Sequence, residues 1–164
     1  MCWIVSMTRK QIRNCEIDDI RELETLALDS KASWGYDPGY LEKCRDVFVL
    51  DSILNENRTS RLVGDEHIQG FYVIIHQDKK DVLDYLFVNR DCMGEGIGKI
   101  LWDDMVSHMK ADVLEIEADA HATGFYEKQG AKRVGNITSS INQQPVPLLE
   151  YKKMINQCLD IDKI

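Results

Sequence analysis

Apolar residues recur along this 164-residue chain at two spacings, one helical and one alternating, and the switches between them mark out its elements. The pattern leaves the position of a first strand open. Residues 17–30 then carry Ile20, Leu23, Leu26 and Ala27 on one helical face behind the acidic pair Asp18 and Asp19, which predicts the first helix. Residues 40–47 predict a second, with Pro38 and Gly39 punctuating the chain before it. Strands follow at 61–63 and 68–76 around a hairpin turn at 64–67, and Phe71, Tyr72, Val73, Ile74 and Ile75 are all strand formers. A turn over 78–81 leads into a strand at 82–88.

Further on, Ile97, Ile100, Leu101, Met105 and Met109 form the buried stripe of a helix, and residues 113–118 return as a strand. Strand, helix and strand in that order imply a right-handed parallel crossover. Phe125 and Tyr126 open another helix, which Gly130 closes. The last two strands are expected at 132–136 and 147–153, separated by the polar stretch 137–144, and residues 154–164 read as a short helix or a frayed end. No internal repeat, low-complexity run or linker divides the chain. A single domain over 1–164 is expected, with 1–10 and 154–164 peripheral.

Between the strand at 82–88 and the helix after it lie Gly94, Gly96 and Gly98. Three positions without side chains at a strand-to-helix turn let backbone N–H groups approach an anion, and the helix dipole adds partial positive charge. The feature reads as a phosphate or pyrophosphate site. A dinucleotide fingerprint would need glycine at Lys99 or Leu101, and a nucleotide-triphosphate loop would need glycine at Met93 and a hydroxyl at Ile100, so neither fits.

Composition narrows the partners. The 20 Lys and Arg against 28 Asp and Glu give a net charge of −8, which argues against a general nucleic-acid surface and suits a cationic amine. Any anionic ligand must then be drawn locally, by the helix N-terminus and by Arg90, Lys99 or Lys128. No apolar run is long enough to span a bilayer and no signal sequence opens the chain, so no membrane partner is expected and the protein reads as cytoplasmic. Five scattered cysteines without a C-x-x-C pair read as reduced thiols, with no structural metal. Cys92, beside the glycines, is either a small filler or a thiol whose pKa the helix N-terminus lowers.

Met93, Gly94, Glu95, Gly96, Ile97 and Gly98 resemble the acetyl-CoA pyrophosphate loop of the GNAT acetyltransferases, [QR]-x-x-G-x-[GA], with Met93 in place of the polar first residue. Downstream, Ala122, Phe125, Tyr126, Glu127, Lys128 and Gly130 are similar to the family's A-x-x-F-Y-E-K-x-G-F, with Ala131 in place of the final aromatic. The segment Ser30, Lys31, Ala32, Ser33, Trp34, Gly35, Tyr36 also looks like a subgroup of small bacterial members whose acceptors are mostly unassigned. The resemblance implies the α/β fold of that family: a mixed, mostly antiparallel twisted sheet of about six to seven strands, flanking helices and a central parallel crossover. It covers all but the chain ends.

The same resemblance implies acetyl transfer from acetyl-CoA, without a metal, to a primary amine of a small molecule or amino acid by direct attack. A homodimer is compatible with it. Leu86, Phe87 and Val88 would pair with the pantetheine arm, and Gly94, Glu95, Gly96, Ile97, Gly98 and Lys99 would cradle the pyrophosphate, with Phe125 and Lys128 beside them. Tyr126 would protonate the departing thiolate; its alternative is core packing. Candidate bases are Asp84, Glu117, Asp119 and His121, of which Asp84 shares strand parity with Leu86 and Val88, or water alone serves. Trp34, Tyr36 and Asp119 would meet the acceptor. Two other readings remain open: acetylation of a protein N-terminus or lysine, and a CoA-binding sensor without turnover.

Overall fold

In the computed structural model, whose described residues are 11–154, the chain opens with β1 (Ile12–Asn14), a 3-10 turn (Ile17–Asp19), α1 (Ile20–Ala32), α2 (Pro38–Val47) and a second 3-10 turn (Asp51–Leu54). Then come β2 (Arg58–Gly64), β3 (Ile68–His76), β4 (Asp81–Val88), a third 3-10 turn (Arg90–Cys92) and α3 (Ile97–His108). The chain finishes with β5 (Val113–Glu117), α4 (Thr123–Lys128), β6 (Lys132–Thr138) and β7 (Pro145–Lys152). The expectations for residues 1–10 and 155–164 lie outside the described residues. Pro38 and Gly39 turn out to form the first turn of α2, because proline needs no hydrogen-bond donor there and Asp37 accepts from Gly39 N–H and Tyr40 N–H.

The seven strands of the described residues join one sheet in the order β1-β2-β3-β4-β5-β7-β6. Every pairing is antiparallel except β4 with β5, the expected crossover through α3. Alternate residues of β3 feed two cores. Tyr72 and Ile74 join Leu101, Trp102 and Met105 of α3 and Tyr126 of α4, while Phe71 and Val73 join Leu23, Leu26 and Ala27 of α1 and Cys44 of α2. Each buried Leu, Ile, Val, Met or Phe among them, removed from water, contributes about 1.5–3 kcal/mol.

Buried polar groups fix where the helices and strands meet. Tyr72 donates to Asp104 Oδ2 at 2.7 Å and Arg61 Nε donates to the same oxygen at 2.6 Å, which ties α3 to β2 and β3. Asp81 is fully buried, and its Oδ2 accepts from Lys110 and Ala111 N–H while Oδ1 lies 2.8 Å from His76 Nδ1. The turn between α3 and β5 is thereby held against the start of β4.

The sheet carries one irregularity that matters for the site. Val73 pairs with Tyr85 and its neighbour Ile74 with Leu83, so Asp84 is an extra residue, a β-bulge. Leu83 belongs to the α3 core, Tyr85 and Phe87 pack toward α1 and α2, and Leu86 and Val88 return to the α3 side. The parity expected for Asp84 is therefore corrected. The bulge shifts the alternation by one, and Asp84 meets Arg58, next to Tyr85, rather than sharing a face with Leu86 and Val88.

Candidate active site

The parallel pair β4–β5 is short. It matches Asp81 with Leu114, Val82 with Glu115 and Leu83 with Ile116, and then ends at the bulge. Beyond it β5 stays with β7, through Glu117 with Leu148 and Ala118 N–H to the Pro147 carbonyl. Leu86, Phe87 and Val88 keep β3 on one side, opposite Tyr72, Phe71 and Gly70, and among the described residues have no paired strand on the other. Their free backbone edge can accept an extended ligand as an added strand.

That edge runs into the glycine loop. Asn89 accepts from Asp91 N–H at 3.0 Å and starts the 3-10 turn that leads to it. Gly94 and Gly96 both adopt φ of +82°, a left-handed conformation suited to glycine, and a Cβ added at either would meet nothing within 4 Å. Gly96 is the N-cap of α3 and brings no side chain of its own, and the space beside Gly94 and Gly96 is open, as an anion site requires. Gly98 has a different task. A Cβ there would lie 3.2 Å from the ring of Phe125, so this glycine allows α3 and α4 to approach.

The other predicted loop residues differ in what they can offer. Ile97 is buried in the α3 core and only its backbone can serve a ligand. Glu95 and Lys99 are exposed, and Lys99 donates to Asp103 at 2.7 Å in an exposed pair that gives way easily to a competing anion. Lys128 is exposed at the end of α4.

Tyr126 is 6% exposed, packed beside Trp102 with ring centroids 6.0 Å apart, and its hydroxyl makes no hydrogen bond among the described residues. Burial, with the charge of Asp119 adding to it, pushes its pKa well above the ordinary phenol value. It stays protonated. Glu117 is exposed and enters no ion pair among the described residues, whereas Asp119, just past the strand, is the centre of a cluster.

Tyr36 donates to Asp119 at 2.7 Å, His121 N–H donates to it at 2.9 Å, and Lys31 Nζ lies 3.1 Å away. Burial works to raise the Asp119 pKa, but these partners overcome it and the carboxylate is held below its usual range. Trp34 stacks on His121 with centroids 5.5 Å apart and planes 8° from parallel. The loop between α1 and α2 is thus latched onto the loop between β5 and α4. Beside the latch a cavity of about 430 Å³ is lined by Tyr36, Asp37, Gly39, Tyr40, Lys43 and Asn142. A larger groove of about 650 Å³, between α1 and α2, holds none of the predicted site residues, so size alone does not identify the site.

On the other side of the bulge, Arg58 Nη1 donates to Asp84 Oδ2 at 2.8 Å. Burial raises the Asp84 pKa and Arg58 holds it back in part. Sequence reasoning assigned no role to Lys31, Tyr40, Arg58 or Asn142. Lys31 stood inside the segment already singled out, whereas Arg58 meets Asp84 only through the pairing of three strands and left no local signal.

A family model described as an acetyltransferase (GNAT) domain matches residues 51–153. No curated protein matches at the sequence level. Among solved structures, a PaiA N-acetyltransferase from Thermoplasma acidophilum in complex with coenzyme A superposes with a TM-score of 0.72 at 20% identity, covering 87% of this chain and 98% of that one. The ribosomal-protein-S18-alanine N-acetyltransferase from Escherichia coli gives 0.70 at 14% identity, over 91% and 97%. An aminoglycoside 6'-N-acetyltransferase complexed with coenzyme A gives 0.68 at 16% identity, over 89% and 98%. The likenesses carry the fold, and the family model spans the parted strands, the glycine loop and the Tyr126 helix: the chain belongs to the GNAT acetyltransferase family.

Proposed function

We propose that this acetyltransferase moves an acetyl group from acetyl-CoA to the primary amine of a small molecule or amino acid, by direct attack with both substrates bound. The observation that carries the reading is the parting of β4 from β5 beside a helix N-terminus whose N-cap is glycine. One edge suits an amide-bearing arm and the other a pyrophosphate. The open space at Gly94 and Gly96 fits a phosphate brought against backbone. Such local attraction offsets a net charge of −8.

Acetyl-CoA would supply an activated acetyl thioester. Leu86, Phe87 and Val88 would hold its arm, the backbone of residues 94–99 its pyrophosphate, and Lys99 and Lys128 would add charge at the rim. Phe125 would support the loop through Gly98. Tyr126 would donate its proton to the sulfur as the C–S bond breaks and regain one from solvent; burial keeps it protonated and at the same time makes it a weaker acid than a free phenol. Asp84 would accept the proton that the amine loses, since a carboxylate with a raised pKa is the better base near neutral pH. Glu117, exposed and unpaired with the cluster, is the weaker candidate. Trp34, Tyr36 and Asp119 would border the acceptor, and the latch of Tyr36 on Asp119 would narrow that side, which favours a small amine over a peptide.

Two measurements test the reading. Acetyl-CoA should raise the melting temperature, with about 2.7 kcal/mol of stabilisation at a hundredfold excess over Kd. A panel of primary amines and amino acids should release free thiol from acetyl-CoA faster than the amine-free control. An unchanged melting temperature at millimolar acetyl-CoA would refute the donor, and no amine-dependent release would refute the transfer.

A further inference from the structure

Lys31 is placed as a bound alkylammonium ligand would be. Its Nζ lies 3.1 Å from Asp119 Oδ2, and the ring centroids of Tyr36, Tyr40 and Phe48 stand 5.4, 5.4 and 6.0 Å from it. Three aromatic rings and one carboxylate around an ammonium group make an aromatic cage, the arrangement by which proteins recognise alkylammonium and quaternary ammonium ligands. Here the chain fills the cage with its own side chain. Burial would lower the Lys31 pKa, but Asp119 and Tyr40 more than reverse this, so the group is an ammonium ion.

The cage also borders the cavity assigned to the acceptor, because Tyr36 and Tyr40 line both. Asp119 would be the natural anchor for a second positive charge on an acceptor, yet its charge is already neutralised. Lys43 adds a further positive group at the cavity wall. Resting on the proposed acetyltransferase reading, we propose that Lys31 is a specificity-determining residue: an internal cation that occupies the ammonium cage and closes it to acceptors carrying a second cationic group. The acceptor is then a monoamine or an amino acid whose own charge does not compete for Asp119, and diamines and polyamines are rejected.

Removing the lysine should leave a working cage. Asp119 still accepts from Tyr36 and from His121 N–H, and Tyr36 still packs on Tyr40 with ring centroids 4.7 Å apart. The experiment compares the wild-type protein with Lys31→Met and Lys31→Gln. First, tetramethylammonium and 1,4-diaminobutane are titrated calorimetrically without acetyl-CoA. Binding at least about tenfold tighter to either variant than to wild type is expected, equal to about 1.4 kcal/mol. Equal or weaker binding to both folded variants, judged by their melting curves, overturns the proposal. If neither variant folds, tight binding of diaminobutane to the wild type overturns it and exclusion of diaminobutane supports it.

Second, kcat/KM for 1,4-diaminobutane relative to n-butylamine is measured with acetyl-CoA. The ratio should be low in wild type and rise about tenfold in Lys31→Met, and an unchanged ratio counts against the proposal. Failure of the acetyltransferase reading looks different. There would be no amine-dependent thiol release in any protein, while the titrations still show whether the cage opens.

Discussion

Arg58 reaches from β2 past β3 to donate to Asp84 on β4, 2.8 Å away, and its Nε remains buried without a partner among the described residues. Two opposed influences thus act on one carboxylate. Burial raises its pKa and the guanidinium lowers it, with burial the larger. If Asp84 takes the amine's proton, the acid limb of kcat/KM should fall above the ordinary carboxylate range of about 4. Arg58→Gln removes the lowering influence, so the limb should move up by about one pH unit or more. A limb that stays in place, or moves down, would remove Asp84 as the base.

Tyr126→Phe deletes one oxygen that has no partner inside the described protein and keeps the ring against Trp102. Folding and acetyl-CoA binding should survive while kcat drops about 10²-fold, the usual scale of general-acid effects. The acid limb should persist, because the phenol does not set it. Wild-type kcat in the variant would leave water as the proton donor.

Gly96→Val tests the loop. The space around Gly96 is open, so valine would not clash within the protein; it would be strained by φ of +82° and would project where a phosphate should lie. The strain costs about 1–2 kcal/mol in stability. Acetyl-CoA affinity should fall further, by about tenfold or more beyond what the loss of fold explains, as read by titration at a temperature where the variant is folded. Equal losses would mean that Gly96 serves only the left-handed backbone of the loop.

Trp34→Ala removes the ring stacked on His121. Such pairs contribute about 0.5–1.5 kcal/mol, so KM for the amine should rise about two- to tenfold with acetyl-CoA affinity unchanged. A lower melting temperature with unaltered amine kinetics would assign Trp34 to the structure of the loop.

Thiol reactivity follows from burial. Cys15 is pushed up to about 12 by burial, so it remains a thiol at pH 8, and Cys44 is fully buried. Alkylation of the native protein at pH 8, mapped by mass spectrometry, should modify Cys92 before either of them. Native Cys15 reacting as fast as Cys92 would contradict the burial described here.

The parts of this molecule that sequence revealed are those written locally. Gly94 and Gly96 announce a loop because left-handed backbone needs glycine at that position, and Phe125 and Tyr126 sit at the start of a helix whose stop, Gly130, is close by. Asp84 was misread for a nonlocal reason. Its face depends on a bulge visible only once β3 and β4 are in register, so counting residues along one strand misassigned it. The Lys31 cage was equally hidden, since Asp119 reaches it from the far side of the crossover and nothing in either segment names the other.

The contact between Gly98 and Phe125 links the two motifs by which the chain is recognised. A methyl group at 98 would lie 3.2 Å from the ring, and the ring belongs to the residue that precedes Tyr126. Bulk at one position presses on the other. A residue at 98 much larger than alanine calls for a smaller one at 125 if Tyr126 is to keep its place beside Trp102, so across relatives large changes at the two positions should occur together.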